Sequence, residues 1–285
     1  MTATSTLIIP TQAAEESLPA REGAILFIGN ATVLVRVAGF TFLTDPTFIH
    51  MHEETWLGFG LTTKRLTNPA MELADLPPLD FVLLSHFHGD HFDRVAERGI
   101  DKALPIVTTP ESAVALRERG FTTLYPLNTW EWLDVTTGEA RLRITATPAR
   151  HGPPLVDFAL PDVMGSIVDI AAPGGGHTRL YFTGDTLLID DLAEIPRRYP
   201  GIDVALLHLG GTRVLGVLVS MDAKQGVEAM RIIDPALAIP IHYNDYDAFT
   251  SSLEDFQAEV RSAGLADRVH YLRHGETYRW MVADR

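Results

Sequence analysis

Short apolar runs broken by turn residues open the chain. Ala24–Ile28, Thr32–Val37 and Phe40–Leu43 read as strands, and Gly29-Asn30 and Gly39 supply the turns of an antiparallel meander. An irregular stretch rich in turn residues follows from Pro46 to Pro78, and then Phe81-Val82-Leu83-Leu84, a continuous apolar run suited to a strand buried on both faces. Helical spacing predicts helices over Phe92–Arg98 and Glu111–Arg119. The second half repeats the idea. Strands are expected within Ala140–Thr147, around Ile167–Ile170, and at Leu180–Phe182, Val204–Leu207 and Leu237–Ile241, with helices at Asp222–Ile233 and Ser251–Ala263. Strands with helices outside them in both halves point to two sheets packed face to face, each covered by helices. A doubly wound single sheet is the competing picture, but no G-x-G-x-x-G follows a strand to support dinucleotide binding.

Residues 1–20 read as an N-terminal tail and 21–285 as one domain, since 285 residues with 46% hydrophobic content suffice for one sizeable core and no linker divides them. The tail carries only the short apolar run Leu7-Ile8-Ile9, without the basic start and long apolar core of a secretory signal, so the protein is expected to be cytoplasmic. No apolar stretch approaches the roughly 20 residues that cross a bilayer. With 37 acidic against 23 basic side chains, the formal charge of −14 repels a nucleic acid and favours a small-molecule substrate. An oligomer is compatible with the sequence. The absence of cysteine leaves histidine and carboxylate to hold any metal.

The strongest chemical signal lies directly after the buried run, in Ser85-His86-Phe87-His88-Gly89-Asp90-His91. Four metal-competent side chains in six residues can converge in a tight turn: His86 and His88 on one ion, Asp90 and His91 toward a second. Gly89 is expected to let the backbone reverse sharply between them. Zn²⁺ and its first-row neighbours accept such imidazoles and carboxylates. Three later residues also sit at strand ends. His151 alone is as readily a surface histidine, Asp185 in Thr183-Gly184-Asp185 as readily a helix cap, and His242 after Ile241 as readily a buried, hydrogen-bonded core residue.

Taken together, these residues resemble the metallo-β-lactamase superfamily, whose H-x-H-x-D-H motif is matched by His86, His88, Asp90 and His91. Its later histidine, bridging aspartate and last histidine are matched in order by His151, Asp185 and His242. Gly29-Asn30-Ala31-Thr32, Leu43-Thr44-Asp45-Pro46 and Leu76-Pro77-Pro78-Leu79-Asp80 further resemble the branch of ascorbate-phosphate lactonases and N-acylphosphatidylethanolamine phospholipase D, although Asn30 stands where many relatives carry histidine. The resemblance implies an α/β fold of four layers, an αββα sandwich with two metal ions at one edge. His86, His88 and His151 would hold the first ion, Asp90, His91 and His242 the second, and Asp185 both. True β-lactamases generally lack the bridging aspartate, so Asp185 and the missing cysteine argue against antibiotic hydrolysis.

Two divalent ions about 3.5–4 Å apart lower the pKa of the water between them toward about 7, which predicts a hydrolase of a small ester, phosphodiester or lactone with the bridging hydroxide as nucleophile. Zn²⁺ is the expected ion, with Mn²⁺ and Fe²⁺ as alternatives. A non-catalytic binding protein on the same fold and an iron-dependent oxidoreductase are the rival readings. Asp90 is the candidate catalytic proton carrier, unless it serves as a ligand alone. Asp45 is the candidate to receive the outer N–H of a ligand histidine, or else a turn aspartate before Pro46. His208 and Tyr243 are candidate substrate-lining residues, His208 being equally readable as a satisfied core histidine. The segments Thr212–Ser220 and Tyr243–Tyr246 are expected to wall the pocket. His50 and His52 read as solvated loop residues with substrate contact as the alternative, and His177, His270 and His274 as turn or surface residues.

Overall fold

The computed structural model describes residues 5–10, 18–19, 21–58, 60–154, 160–214 and 216–284. In chain order, β1 (Ser5–Ile8) precedes the meander of β2 (Glu22–Gly29), β3 (Thr32–Val37) and β4 (Phe40–Thr44). A hairpin of β5 (Glu54–Gly58) and β6 (Leu61–Lys64) then precedes β7 (Phe81–Leu83). Next come α1 (Arg94–Gly99), β8 (Ile106–Thr108), α2 (Pro110–Glu118) and β9 (Leu124–Pro126). The second half runs β10 (Trp132–Thr137), β11 (Ala140–Thr147), β12 (Gly165–Ala171), β13 (Gly176–Phe182), α3 (Glu194–Arg198) and β14 (Val204–His208). It ends with the hairpin β15 (Arg213–Val214) and β16 (Val217–Leu218), α4 (Ala223–Ile233), β17 (Leu237–Ile241), α5 (Leu253–Ala263), β18 (Thr277–Met281) and β19 (Ala283–Asp284).

Two large sheets result. One is ordered β18-β2-β3-β4-β7-β8-β9, and the other β1-β10-β11-β12-β13-β14-β17 with β19 paired to β13. Their facing sides share one apolar core, in which Phe27, Val35, Phe42 and Phe81 meet Leu133, Ile144, Val168 and Ile239. Outside the first sheet, Ala96 of α1 and Leu116 of α2 pack on Leu43, Val82 and Ile106. Outside the second, Ile195 of α3, Val227 and Met230 of α4, and Phe256 and Val260 of α5 cover Tyr181, Ala205 and Leu207. These are the four layers of an αββα sandwich.

Local chemistry sets the helix ends. The expected starts at Phe92 and Asp222 move inward because Asp93 and Asp222 are caps, their carboxylates accepting N–H bonds from the first turn. Ser252 and Asp255 close a capping box on α5, and Pro110 opens α2 behind the Thr109 cap. Part of the expected tail is sheet: Ser5–Ile8 lies parallel to β10 along Ser5↔Leu133 to Ile8↔Thr136, so backbone pairing recruits a segment too short to stand out by pattern. Residues 1–4, 11–17 and 20 of that tail lie outside the described set. The stretch from Pro46 to Pro78 also holds the β5–β6 hairpin. Among the described residues no helix is long and apolar enough to cross a membrane.

Candidate metal centre

Strand direction places the site. β4, β7 and β8 run parallel, as do β13, β14 and β17, so their C-terminal ends collect at one edge of the sandwich. β11, antiparallel to β12, which is itself antiparallel to β13, ends there too. His86–His91 follow β7, His151 follows β11, Asp185 follows β13 and His242 follows β17. All seven are buried, from 0% exposure at His86 to 6% at His88.

The five imidazoles crowd together. Ring centroids lie 4.1 Å apart for His86–His91, 4.9 Å for His86–His88, 5.3 Å for His88–His151 and 4.8 Å for His91–His242. Ligand-capable atoms fall within 4.8 Å of one another in the sets His86, His88, His151; Asp90, His91, His242; and His86, His91, Asp185. Asp185 Oδ1 is 3.4 Å from His91 Nε2 and 3.5 Å from His242 Nδ1, and Asp90 Oδ2 is 3.5 Å from His242 Nε2. The Nε2 atoms of His86, His91 and His242 and one oxygen each of Asp90 and Asp185 are buried without a hydrogen-bond partner among the described residues. Leaving one such polar atom unsatisfied costs about 1–3 kcal/mol. Five in one pocket fit cations bound by nitrogen and carboxylate oxygen, the chemistry of zinc and its neighbours.

The outer nitrogens are held by the protein. His151 Nδ1 donates to the Val219 carbonyl at 2.8 Å, and His242 Nδ1 to the Leu209 carbonyl at 3.0 Å. Val219 lies in the expected wall segment Thr212–Ser220, of which Leu215 is outside the described residues; the segment therefore holds the His151 ring in place. Asp45 takes the Ser85 N–H on one oxygen at 2.7 Å, and its other oxygen lies 3.4 Å from His91 Nδ1 and 3.3 Å from His208 Nε2. His208 does not line a substrate pocket. It is 1% exposed, and its second nitrogen meets Thr183 Oγ1 at 3.1 Å. Tyr243 also turns away, its ring near Phe27 in the central core and its hydroxyl donating to the Leu272 carbonyl, because the chain reverses at His242 (φ 58°).

Burial lowers the pKa of His86 well below the usual imidazole range, lowers that of His151, and pushes that of His88 down to about 3. These three are neutral, the form that binds metal. Burial acts the same way on His91 and His242, but nearby Asp185 and Asp90 outweigh it and raise both, His91 strongly. Burial favours protonation of Asp90 and Asp185, yet the facing histidines hold both carboxyls below their ordinary range.

Sequence reasoning did not identify the brace behind the second set. Asn30, fully buried at φ 53°, donates its side-chain amide to the Asp90 carbonyl, accepts the His242 N–H at 2.8 Å and gives its own N–H to Asp245. Asp245 is also held by Thr67 and lies 3.2 Å from His274, so His274 is tied to this network rather than being a free surface residue. Arg65, fully buried, reaches Thr47 and the hydroxyl of Tyr246. The one signal was Asn30 itself, an asparagine in a strand turn that tolerates positive φ. Gly89 has another role than the one expected. It has no positive φ, and a Cβ there would sit 2.2 Å from Thr55 Oγ1 and 2.5 Å from the Trp56 carbonyl, so glycine admits the β5–β6 hairpin against the histidine loop. His50 pairs at the surface with Glu72, and His52 turns at φ 76°.

An αββα sandwich with a buried histidine–aspartate pocket at the ends of its parallel strands defines a metallohydrolase-type protein. Residues 41–243 match the family model described as beta-lactamase superfamily domain, and the chain belongs to that family. It is 31% identical over 205 residues to a UPF0173 metal-dependent hydrolase of Staphylothermus marinus, covering 70% of this chain and 78% of that one. Among solved structures it resembles the isothiocyanate hydrolase from Delia radicum gut bacteria, at TM-score 0.75 and 21% identity over 91% of this chain and 100% of that one. CmlA, a diiron β-hydroxylase from Streptomyces venezuelae, shares the fold at TM-score 0.66 and 18% identity, over 93% of this chain and 55% of that one. The protein is a metal-dependent hydrolase.

Proposed function

We infer that the chain hydrolyses a small ester, phosphodiester or lactone at a centre of two divalent ions, most simply Zn²⁺, with Mn²⁺ or Fe²⁺ as alternatives. The five nitrogen and oxygen atoms buried in one pocket without a hydrogen-bond partner among the described residues carry this reading. His86, His88 and His151 would hold one ion, Asp90, His91 and His242 the other, and Asp185 would lie between them. Bound there, two ions supply Lewis acidity and bring the pKa of a shared water toward about 7.

The chain's own groups do the rest. The Val219 and Leu209 carbonyls and Asp45 fix which nitrogen of His151, His242 and His91 faces the pocket. Asp90, held ionised by His91 and His242, would be a ligand carboxylate that can also accept a proton and return it to the leaving group. Phe249 packs on the His242 ring at 4.5 Å between centroids and keeps that side dry.

A screen of lactones, phosphodiesters, phosphotriesters, thioesters and an isothiocyanate, the last suggested by the Delia radicum likeness, should show turnover that a chelator stops. Asp185→Ala should abolish that turnover in a folded protein. Unchanged turnover would overturn the mechanism. Metal analysis separates the rivals: two zinc or manganese ions per chain support hydrolysis, one iron supports oxidation, and none supports binding alone.

A further inference from the structure

Two hollows open beside the metal centre on the side of His88 and His151. One, of about 420 Å³, is lined by His88 with the apolar surfaces of Trp56, Phe87 and Leu160, and also by Glu111 and by Arg119, which is already paired with Glu97. The other, of about 300 Å³, is lined by His151 with Arg150, Asn128, Thr129 and Asp162. Pro161 borders both.

Arg150 distinguishes the second hollow. Its backbone N–H is pinned to Thr186 Oγ1 at 2.9 Å, so it is carried on the same turn as His151. Its Nε is closed off from solvent without an acceptor, and among the described residues its side chain makes no hydrogen bond or ion pair. Several other partly buried or surface arginines of this acidic chain pair with carboxylates, Arg143 with Asp134, Arg179 with Asp169 and Arg94 with Glu53, whereas the fully buried Arg65 is held by the hydroxyls of Thr47 and Tyr246 away from both hollows. Arg150 is half-buried, so its guanidinium opens to the hollow while its Nε, shielded from water, still lacks an acceptor, a costly state for a buried N–H. The start of α2 also forms a wall, but Glu111 already stands in its first turn, its carboxylate accepting the Asp162 N–H at 2.6 Å. Arg150 is the cation that remains.

We propose that Arg150 receives an anionic group, a carboxylate or a phosphate, on the substrate whose scissile bond lies at the metal centre. The proposal rests on the hydrolase reading above. The planar fork of the guanidinium matches either anion with two parallel bonds. Asp162, exposed on the same hollow, opposes a second negative charge, so the fitting substrate carries one anionic group and an apolar body for the Trp56–Phe87 hollow.

The test measures binding and turnover in the metal-loaded protein, with Arg150→Gln and Arg150→Lys checked by circular dichroism and metal content. Calorimetry with glutarate should show binding to the parent that weakens about ten-fold or more in Arg150→Gln, the scale of a charge-assisted hydrogen bond, and by less in Arg150→Lys. The ratio of kcat/KM for mono-4-nitrophenyl glutarate over 4-nitrophenyl butyrate should fall in the same order. Equal glutarate binding by parent and Arg150→Gln, no binding by the parent, or an unchanged ratio would each overturn the proposal. If Arg150→Gln fails to fold, Arg150→Lys decides by the same readings. Arg150-dependent glutarate binding in a protein that cleaves neither ester would uphold the anion site and count against the hydrolase reading alone.

Discussion

Replacing Asp45 by asparagine tests how the pocket prepares its ligands. The fold should tolerate the change: Asp45 has φ 34°, a region asparagine enters readily, and an amide oxygen can still accept the Ser85 N–H. The other oxygen becomes an NH₂ group facing His91 Nδ1 and His208 Nε2. In the parent, a carboxylate there holds a His91 proton on Nδ1, so that the proton given up to a metal is the one on Nε2, facing Asp185. In the variant, an amide donor favours the opposite tautomer, with the proton on the metal-facing nitrogen. Partners of this kind are worth about 10–100-fold in metal affinity. Stability should change too. Burial raises the Asp45 carboxyl, but hydrogen bonds and charge from His208 and His91 outweigh it and hold the pKa at about 2, against 3.8 for a free group. A folded value below the unfolded one stabilises above the unfolded pKa, and that gain is lost as pH falls from about 4 to about 2. The shift amounts to about 2 kcal/mol. Competition of metal-free protein with a chromophoric chelator for Zn²⁺ should show one binding step weakened about 10–100-fold and the other kept. Denaturant unfolding of the metal-free variant should show a loss of about 2 kcal/mol near neutral pH. Parent-like affinity in both steps would refute the tautomer argument.

Gly89→Ala should push the β5–β6 hairpin off the histidine loop, costing about 1–3 kcal/mol in thermal unfolding and lowering metal content; a parent-like Tm would show that the contact yields. Asn30→Ala should lose both the bond to the Asp90 carbonyl and the ease of positive φ, whereas Asn30→Gly loses the bond alone; calorimetric Zn²⁺ titration should rank the second ion's affinity parent, glycine, alanine. Because His91 and His242 are raised and the first three histidines lowered, protons compete mainly at the Asp90–His91–His242 set. Dialysis at falling pH should therefore release one ion per chain before the other, and simultaneous release would contradict that order.

Much of the sandwich was legible because both sheets are buried on two faces. Phe81–Leu84 and Leu237–Ile241 are uninterrupted apolar runs, as parallel strands covered on both faces require. The strands missed were short or only half-buried. β18 alternates between exposed and half-buried residues, and β10 has only every second residue buried, so neither stands out by hydrophobicity. The seven pocket residues were readable because so many metal-competent groups end strands. The brace of Asn30, Asp245 and Arg65 was not, since its members lie up to 215 positions apart and several of its bonds end on main-chain atoms that carry no sequence signature. Tyr243 was misread for a related reason: the positive φ at His242 turns the next side chain inward, and no residue type announces it.

The two halves of the chain exchange edges. β1, from the beginning, closes the sheet built by the second half, and β18, from near the end, closes the sheet built by the first. During synthesis from the N-terminus, the Gly23–Ile28 flank of β2 therefore waits without its outer neighbour until almost the whole chain has emerged. That segment, apolar and uncharged, is the kind of open strand that seeks other chains. Binding of β18 acts as a late seal, and a chain cut short before Thr277 would carry the finished pocket beside an adhesive rim.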